Sequence, residues 1–292
     1  MKKSLGFIGL GMMGLPMAKR LSKAGPKFSV YNRTRNKAES LLAEGAVWCE
    51  TPAAVVSNSD IVFSMVSNPG ALKEITTGPD GIFTALKPGR IHIDTSTVSP
   101  AMTRDLSMRY AEHDAFFLHA PVLGSIPQAT DGTLLMFAGG NSDAYEIALP
   151  YLRLLAKQLW KFDRAEQATH MKLICNLFIA GMITTLGQAL TFAEKASVDQ
   201  RTVLDIIGQS QVRSPMYETK GSSIVQNNFA PRFFLEHMLK DVNLMLDAAR
   251  DVHASLPAIE VAQQLFVEAE RAGLGREDYS AVVKALQARG GK

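Results

Sequence analysis

Cysteine is nearly absent: Cys49 and Cys175 are the two in 292 residues. They lie far apart, among apolar neighbours and without metal-ligand spacing. A disulfide scaffold and a cysteine-based metal centre are therefore excluded, and both thiols read as buried and reduced, as in a cytoplasmic protein. No metal site is expected. The chain has no block of lysine and arginine and no interleaving of basic with aromatic residues, and its net charge is only +3. Nucleic acid is thus not an expected partner, although the mild basicity suits an anionic cofactor or substrate. No internal repeat or low-complexity tract occurs. The longest apolar segment, Leu173 to Ala193, carries Asn176, Thr184, Thr185 and Gln188, so it reads as a buried helix and no membrane partner is expected. The opening MKKSLGFIGL has a basic pair before an apolar stretch but lacks a cleavage site, and is not read as a signal peptide.

At 47% hydrophobic and 20% charged residues, the chain is that of a soluble globular protein with length for two domains. Its most informative segment is LGFIGLGMMGLPMA, residues 5–18. A strand-like run breaks into Gly9-Leu10-Gly11-Met12-Met13-Gly14 and resumes at helical spacing. In a dinucleotide-binding turn Gly9 makes the tight bend, Gly11 lets backbone approach a pyrophosphate, and Gly14 lets helix and strand pack closely. A bare GxGxxG is a weak signal. Here it follows a strand, opens a helix (12–24) and precedes a second strand, Phe28 to Tyr31, as a βαβ unit requires.

Strand and helix signals then alternate. Helices are expected at 37–44, 52–57, 71–76, 100–112 and after Asp143; strands are expected near Ala46 and at 60–66, 90–94, 115–119, 132–138 and 158–162. From Gln167 the strand signals stop and helical spacing takes over, at 171–195, 199–207, 236–254, 259–272 and 279–286. The expected fold is α/β: a Rossmann-type, doubly wound, mainly parallel sheet over residues 1–163, followed by an all-α domain over 164–292 that begins with a long interdomain helix.

The end of the second strand reads Tyr31-Asn32-Arg33-Thr34-Arg35. An acidic residue at this corner holds the ribose hydroxyls of NAD, whereas a basic one suits the 2′-phosphate of NADP. With no carboxylate present and Arg33 able to fork onto a phosphate, NADP is favoured and NAD is the alternative. The plain reading makes Arg33 and Arg35 solvated loop charges. Met65, Val66 and Ser67 follow the fourth strand and are placed along the cofactor cleft. Ser96 and Thr97, in Asp94-Thr-Ser-Thr-Val-Ser-Pro100, sit at the next strand end, although a helix cap by Thr97 or Ser99 accounts for them equally. Leu123, Gly124 and Ser125 precede a loop ending in Gly132-Thr133, where backbone amides around Gly124 suit a carboxylate and a plain turn is an equally simple explanation. Lys172 and Asn176 fall on one face of an apolar helix. Desolvation lowers a lysine pKa toward the range of a proton donor, but taken alone this lysine reads more simply as one snorkelling at the surface.

Taken together, GLGMMGLPMA, DTSTVSP, APVLGS with the later DGTL, MKLICN, FFLEHMLKDVNL and GLGREDYSAV resemble the β-hydroxyacid dehydrogenase family, which includes 3-hydroxyisobutyrate dehydrogenase and the glyoxylate/succinic semialdehyde reductases. The resemblance covers nearly the whole chain. It implies that Lys172 is the catalytic lysine, giving a proton to a carbonyl oxygen and taking it back in the reverse direction. Asn176 would hydrogen-bond substrate and orient the lysine, Thr97 and Lys240 would contact cofactor, and residues 123–125, with Ser96, would face a small carboxylate-bearing carbonyl or hydroxyacid substrate. Two positions depart from the family pattern: Leu123 replaces a usual serine, and His119 replaces a usual acidic residue and reads as a satisfied loop or strand-end histidine. An imine reductase or a non-catalytic cofactor-binding scaffold on the same fold are the alternatives, and Lys172 argues against both. The helix from Gln167 to Lys195 is apolar almost all round, which implies a homodimer or homotetramer through the C-terminal domain.

Overall fold

The computed structural model describes residues 2–25 and 27–289; Met1 and the last three residues of the expected domains lie outside that range. Its first unit, Met1–Lys172, contains β1 (Leu5–Ile8), α1 (Gly14–Leu21), β2 (Phe28–Tyr31), α2 (Glu39–Ala43), β3 (Val47–Trp48), α3 (Pro52–Ser57), β4 (Ile61–Ser64), α4 (Pro69–Thr77), β5 (Ile91–Asp94), α5 (Pro100–Ala111), β6 (Phe116–His119), β7 (Val122–Leu123), α6 (Ile126–Asp131), β8 (Leu134–Gly140), α7 (Ser142–Leu155) and β9 (Ala156–Phe162).

Strands β3, β2, β1, β4, β5 and β6 are parallel neighbours in that order. The central strands β1, β4 and β5 are buried throughout, which is why β1 and β4 read as mainly apolar runs, whereas β5 alternates isoleucine with the buried polar residues His92 and Asp94. Leu5 and Phe7 point into one core with Met17, Phe63 and Leu152, and Ile8 points into the other with Val55, Val62 and Tyr110. Strict strand alternation would have paralleled β8 as well. Instead β8 runs antiparallel to β6 and β7 and parallel to β9. The reversal is made across residues 124–133, where the short helix α6 replaces a full crossover helix and ends at Gly132 in the left-handed conformation at φ +69°. The outer strand β9 is half-exposed and carries Lys157 and Lys161, charges that discourage pairing with another edge.

The second unit, Leu173–Lys292, is helical. It holds most of α8 (Ala165–Lys195), then α9 (Gln200–Gln209), α10 (Pro215–Val225), α11 (Leu235–Asp251), α12 (Pro257–Arg271) and α13 (Val282–Arg289). The division falls at 172/173, inside α8, where the sequence placed a boundary at 163/164; the first turns of the helix belong with the sheet. One stripe of α8 (Leu173, Ala180, Ile183, Leu186, Leu190) packs with Met238, Val242 and Met245 of α11 and Phe266 of α12. The helix is long and apolar enough to cross a membrane, but this inner stripe is a protein core. The opposite face exposes Ile174, Phe178 and Phe192.

Candidate active site

The sheet order sets the site. From β1 the chain moves outward through β2 and β3, and from β4 it moves the other way through β5 and β6. Loops leaving β1 and β4 therefore diverge, opening the crevice where such sheets bind ligands. Gly9 turns the chain there at φ +96°, and a Cβ on it would strike the carbonyl oxygen of Met65. A Cβ on Gly14 would strike the carbonyl oxygen of Gly9. Gly11 differs, because nothing lies within 4 Å of where its Cβ would be: packing does not demand a glycine, and the space over the loop fits a phosphate-bearing ligand. Met13, at the cap of α1, makes no side-chain cap hydrogen bond, so the helix presents its N-terminus without a protein anion. Met12 is exposed, whereas Leu10 is buried and shapes the loop from beneath.

At the β2 corner, Asn32 Oδ1 accepts from the Leu10 amide at 2.9 Å, and its Nδ2 donates to the Thr34 carbonyl at 2.8 Å. Arg33 and Thr34 are exposed. Arg35, by contrast, lies over the Trp48 ring at 5.3 Å and pairs with Glu50 at 3.4 Å. The corner thus separates an engaged arginine from a solvent-facing one.

Met65, Val66 and Ser67 leave β4 beside the glycine loop. Asn68 then caps α4, accepting from the Ala71 amide at 2.8 Å. At the end of β5, Ser99 is the cap of α5, accepting from the Met102 amide at 3.2 Å, and Thr97 is half-buried. Ser96 lies elsewhere. It is fully buried, its hydroxyl donates to Asp94 Oδ1 at 2.7 Å, and the same oxygen accepts from the Val66 amide at 2.9 Å, so it supports the cleft rather than facing a substrate. Leu123 is half-buried in β7 and Gly124 is exposed at φ +142°. The Ser125 amide donates to Gln128 Oε1 at 2.9 Å within the start of α6, and is thereby taken out of the set of donors expected for a carboxylate. His119 is a satisfied strand-end histidine: fully buried, with Nε2 3.0 Å from the Ser96 carbonyl and Nδ1 2.8 Å from Thr169 Oγ1.

On α8, Lys172 is half-buried and Asn176, one turn later, is buried. Asn176 Nδ2 donates to Asp241 Oδ2 on α11 at 2.7 Å, and Lys240 Nζ lies 2.7 Å from Asp241 Oδ1. Asp241 was not singled out from sequence. Its signal was a carboxylate among Met238, Leu239, Val242 and Met245, on the inner face of an amphipathic helix, where an acidic residue needs a partner. Cys49 is buried and Cys175 is only half-buried. No cluster of metal-ligating side chains occurs among the described residues.

Comparison with known proteins matches both halves of the chain. Residues 4–170 match the NAD binding domain of 6-phosphogluconate dehydrogenase, and residues 167–286 match the NAD-binding domain of NADP-dependent 3-hydroxyisobutyrate dehydrogenase. The chain is 33% identical to glyoxylate/succinic semialdehyde reductase 2, chloroplastic, of Arabidopsis thaliana, over 98% of its own length and 80% of that protein. It is also 33% identical to human cytokine-like nuclear factor N-PAC over 97% of its length, but spans only 51% of that protein. A 3-hydroxyisobutyrate dehydrogenase structure from Salmonella typhimurium is similar with a TM-score of 0.87 and 26% identity, over 96% of this chain and 98% of that one. An imine reductase from Myxococcus stipitatus, with a TM-score of 0.67 and 18% identity over 97% and 99% of the two chains, shares the fold alone.

Proposed function

Because this chain belongs to the β-hydroxyacid dehydrogenase family, we propose that it is an NADP(H)-dependent oxidoreductase interconverting a small β- or γ-hydroxyacid and its semialdehyde or ketoacid. The observation that carries the reading is Lys172 placed one helical turn before a buried asparagine whose amide is anchored by Asp241. Gly9 to Gly14 and the N-terminus of α1 would hold the pyrophosphate, Arg33 and Thr34 the 2′-phosphate, and Met65 to Ser67, Thr97 and Lys240 the remainder of the cofactor. The bound nicotinamide supplies or accepts the hydride.

The remaining chemistry belongs to the protein. As the carbonyl carbon of the substrate gains hydride, its oxygen gains negative charge, and the Lys172 ammonium gives that oxygen a proton. In the reverse direction the neutral amine takes the proton from the hydroxyl. Asp241 draws the Asn176 NH2 group toward itself, which turns Oδ1 away from Asp241 as an acceptor for an ammonium or hydroxyl proton. Gly124, with Leu123 in place of a serine hydroxyl, would meet the substrate carboxylate.

The test is an NADPH-linked assay over glyoxylate, succinic semialdehyde, methylmalonate semialdehyde and tartronate semialdehyde, with a cyclic imine alongside. Turnover of one semialdehyde or ketoacid supports the reading. Turnover of the imine alone would assign the chain to imine reduction, and NADPH binding without turnover of any would assign it to the scaffold class.

We also propose a homodimer or homotetramer built on the outer face of α8. Ile174, Phe178 and Phe192 are 50%, 62% and 76% exposed at helical spacings of four and fourteen, an apolar stripe that a solitary domain leaves in water.

A further inference from the structure

Ser64, Asp94 and His119 are the last residues of β4, β5 and β6, and they stand side by side in register. All three are fully buried, a polar row across the ends of three adjacent strands. Two further polar side chains join it, His92 on the same face of β5 and Tyr110 of α5.

The proton positions follow from what each atom can do. Ser64 donates to Asp94 Oδ1 at 2.6 Å, so its oxygen must accept from His92 Nε2 at 2.8 Å. His92 Nδ1 is then a lone pair, accepting from the Tyr110 hydroxyl at 2.7 Å. On the other side, His119 Nε2 faces a carbonyl, Ser96 O at 3.0 Å, and must carry the proton. Its Nδ1 is then a lone pair 2.8 Å from Thr169 Oγ1, whose single proton also reaches the Ala165 carbonyl at 3.1 Å. The donations of Tyr110, His92, Ser64 and His119 all run toward Asp94 or toward the Ser96 segment that Asp94 holds. Asp94 Oδ2 lies 3.5 Å from His119 Nε2.

Ser96 carries the network to the cleft. Ser96 Oγ donates to Asp94 and accepts from the Val66 amide, tying the loop after β5 to the loop after β4. Thr95 adds a second stitch, its hydroxyl donating to the Ser64 carbonyl at 2.6 Å. The Met65–Ser67 loop so held is the one whose carbonyl abuts Gly9. Because every member is buried and hydrogen-bonded, none can touch a ligand. Buried hydrogen-bond networks of this kind rigidify what they hold, and a binding loop already ordered loses less entropy when ligand arrives.

We infer that Asp94, acting through Ser96, is a positioning residue for the dinucleotide: it preorders the Met65–Ser67 loop against the glycine turn. This rests on the cofactor reading of the cleft given above.

The experiment compares Ser96→Ala, which cuts the link to Val66, with Tyr110→Phe, which cuts the same network at its far end. NADPH affinity is measured by fluorescence titration, kcat and KM for NADPH in the reductase assay, and folding by circular dichroism and melting. The NADPH dissociation constant of Ser96→Ala is expected to rise about tenfold, with kcat changed less than about threefold. Tyr110→Phe is expected to melt earlier while binding NADPH as the unmodified protein does. Should Ser96→Ala fail to fold, Ser96→Cys, of similar volume with weak donor and acceptor capacity, is read by the same criterion. Unchanged affinity in the Ser96 variant, or an equal loss in Tyr110→Phe, overturns the inference and leaves a purely structural network. Failure of the unmodified protein to bind NADPH overturns the cofactor reading itself, and this inference with it.

Discussion

Asn32 and Leu10 lie twenty-two residues apart, yet the Asn32 carboxamide oxygen accepts the Leu10 backbone proton at 2.9 Å. The residue that follows β2 thus shapes the glycine loop that follows β1. A carboxylate here would still accept the Leu10 proton, but it would lose the donation to Thr34 and place a negative charge beside Arg33. Asn32→Asp is therefore expected to raise the dissociation constant for NADPH about tenfold, through like-charge repulsion with the 2′-phosphate, and to leave NADH unchanged or improved. Titrating both cofactors into both proteins checks this. An equal change for the two would dissociate this corner from phosphate recognition.

Lys172→Ala removes the proposed proton donor and leaves the glycine loop untouched. Turnover is expected to fall about 10² to 10⁴-fold, with the NADPH dissociation constant within about twofold of the unmodified protein, since uniform binding is not lost. Steady-state kinetics and fluorescence titration on one preparation decide it. Near-normal turnover would assign the proton to another group.

The motif-bearing parts of the fold were legible because local sequence and tertiary role coincide there: Gly9 and Gly14 sit where no Cβ fits, and Pro52 and Pro100 open helices where a proline is tolerated. Helix α10 was missed because Gly221 and two serines break its pattern. A Cβ at Gly221 would collide with Leu204 of α9, so that glycine serves close helix packing, which overrides propensity. The antiparallel β8 was hidden as well, since its direction depends on the short connection over 124–133 and not on the strand's own residues. Within the site, Lys172 and Asn176 share a helix and could be paired from spacing alone. Ser96 could not be assigned to the interior, because its partners Asp94 and Val66 meet only through the register of β4 with β5. Asp241 required knowing which face of α11 meets α8.

Burial holds both interior histidines of the sheet neutral, pushing His92 down to about 3, with the charge of nearby His119 adding to the effect, and His119 down to about 4 against the opposing carbonyls of Ser96 and Ala165. In the unfolded chain both take up protons near pH 6.5. Below that pH the unfolded state binds more protons than the folded one, so stability falls as pH falls, from about 6.5 down to about 4 for His119 and about 3 for His92. Two such groups contribute on the order of 2 kcal/mol of loss between pH 6 and 5. Urea midpoints across this range measure it, and His119→Gln is expected to remove roughly half of the dependence assigned to the pair. A flat midpoint from pH 7 to 5 would contradict neutral burial of these rings.

In the helical unit, Lys220 of α10 donates to Asp278 Oδ1 at 2.7 Å and lies 4.3 Å from the Tyr279 ring centroid. The carboxylate also accepts from the Ser280 amide and hydroxyl and from the Arg232 amide. Although burial pushes its pKa up, the hydrogen bond and charge of Lys220, with Ser280, hold it below the usual carboxylate value. Asp278→Ala would leave a buried ammonium without its partner, with an expected loss of about 3–5 kcal/mol. The double variant Asp278→Ala, Lys220→Met should recover part of that loss, because an apolar residue has no charge to desolvate. Denaturation of the single and double variants settles it, and no recovery would mean that the backbone amides of Ser280 and Arg232, not the ion pair, dominate.

The exposed stripe on α8 allows the assembly to be tested without touching the chemistry. Phe178 and Phe192 lie outside the Lys172–Asn176 turn, and their outward direction keeps them out of the core formed by Leu173, Ala180, Ile183, Leu186 and Leu190. If this face is covered by a second copy, Phe178→Asp buries a charge in an apolar contact and is expected to raise the dissociation constant of the assembly by about 100-fold or more. Light scattering at micromolar protein should then show a dimeric or tetrameric mass for the unmodified chain and a lower one for the variant. Circular dichroism of the variant should be unchanged, because the substituted side chain is 62% exposed in the single chain. A monomeric mass for the unmodified protein would leave this stripe in water and remove the proposed assembly.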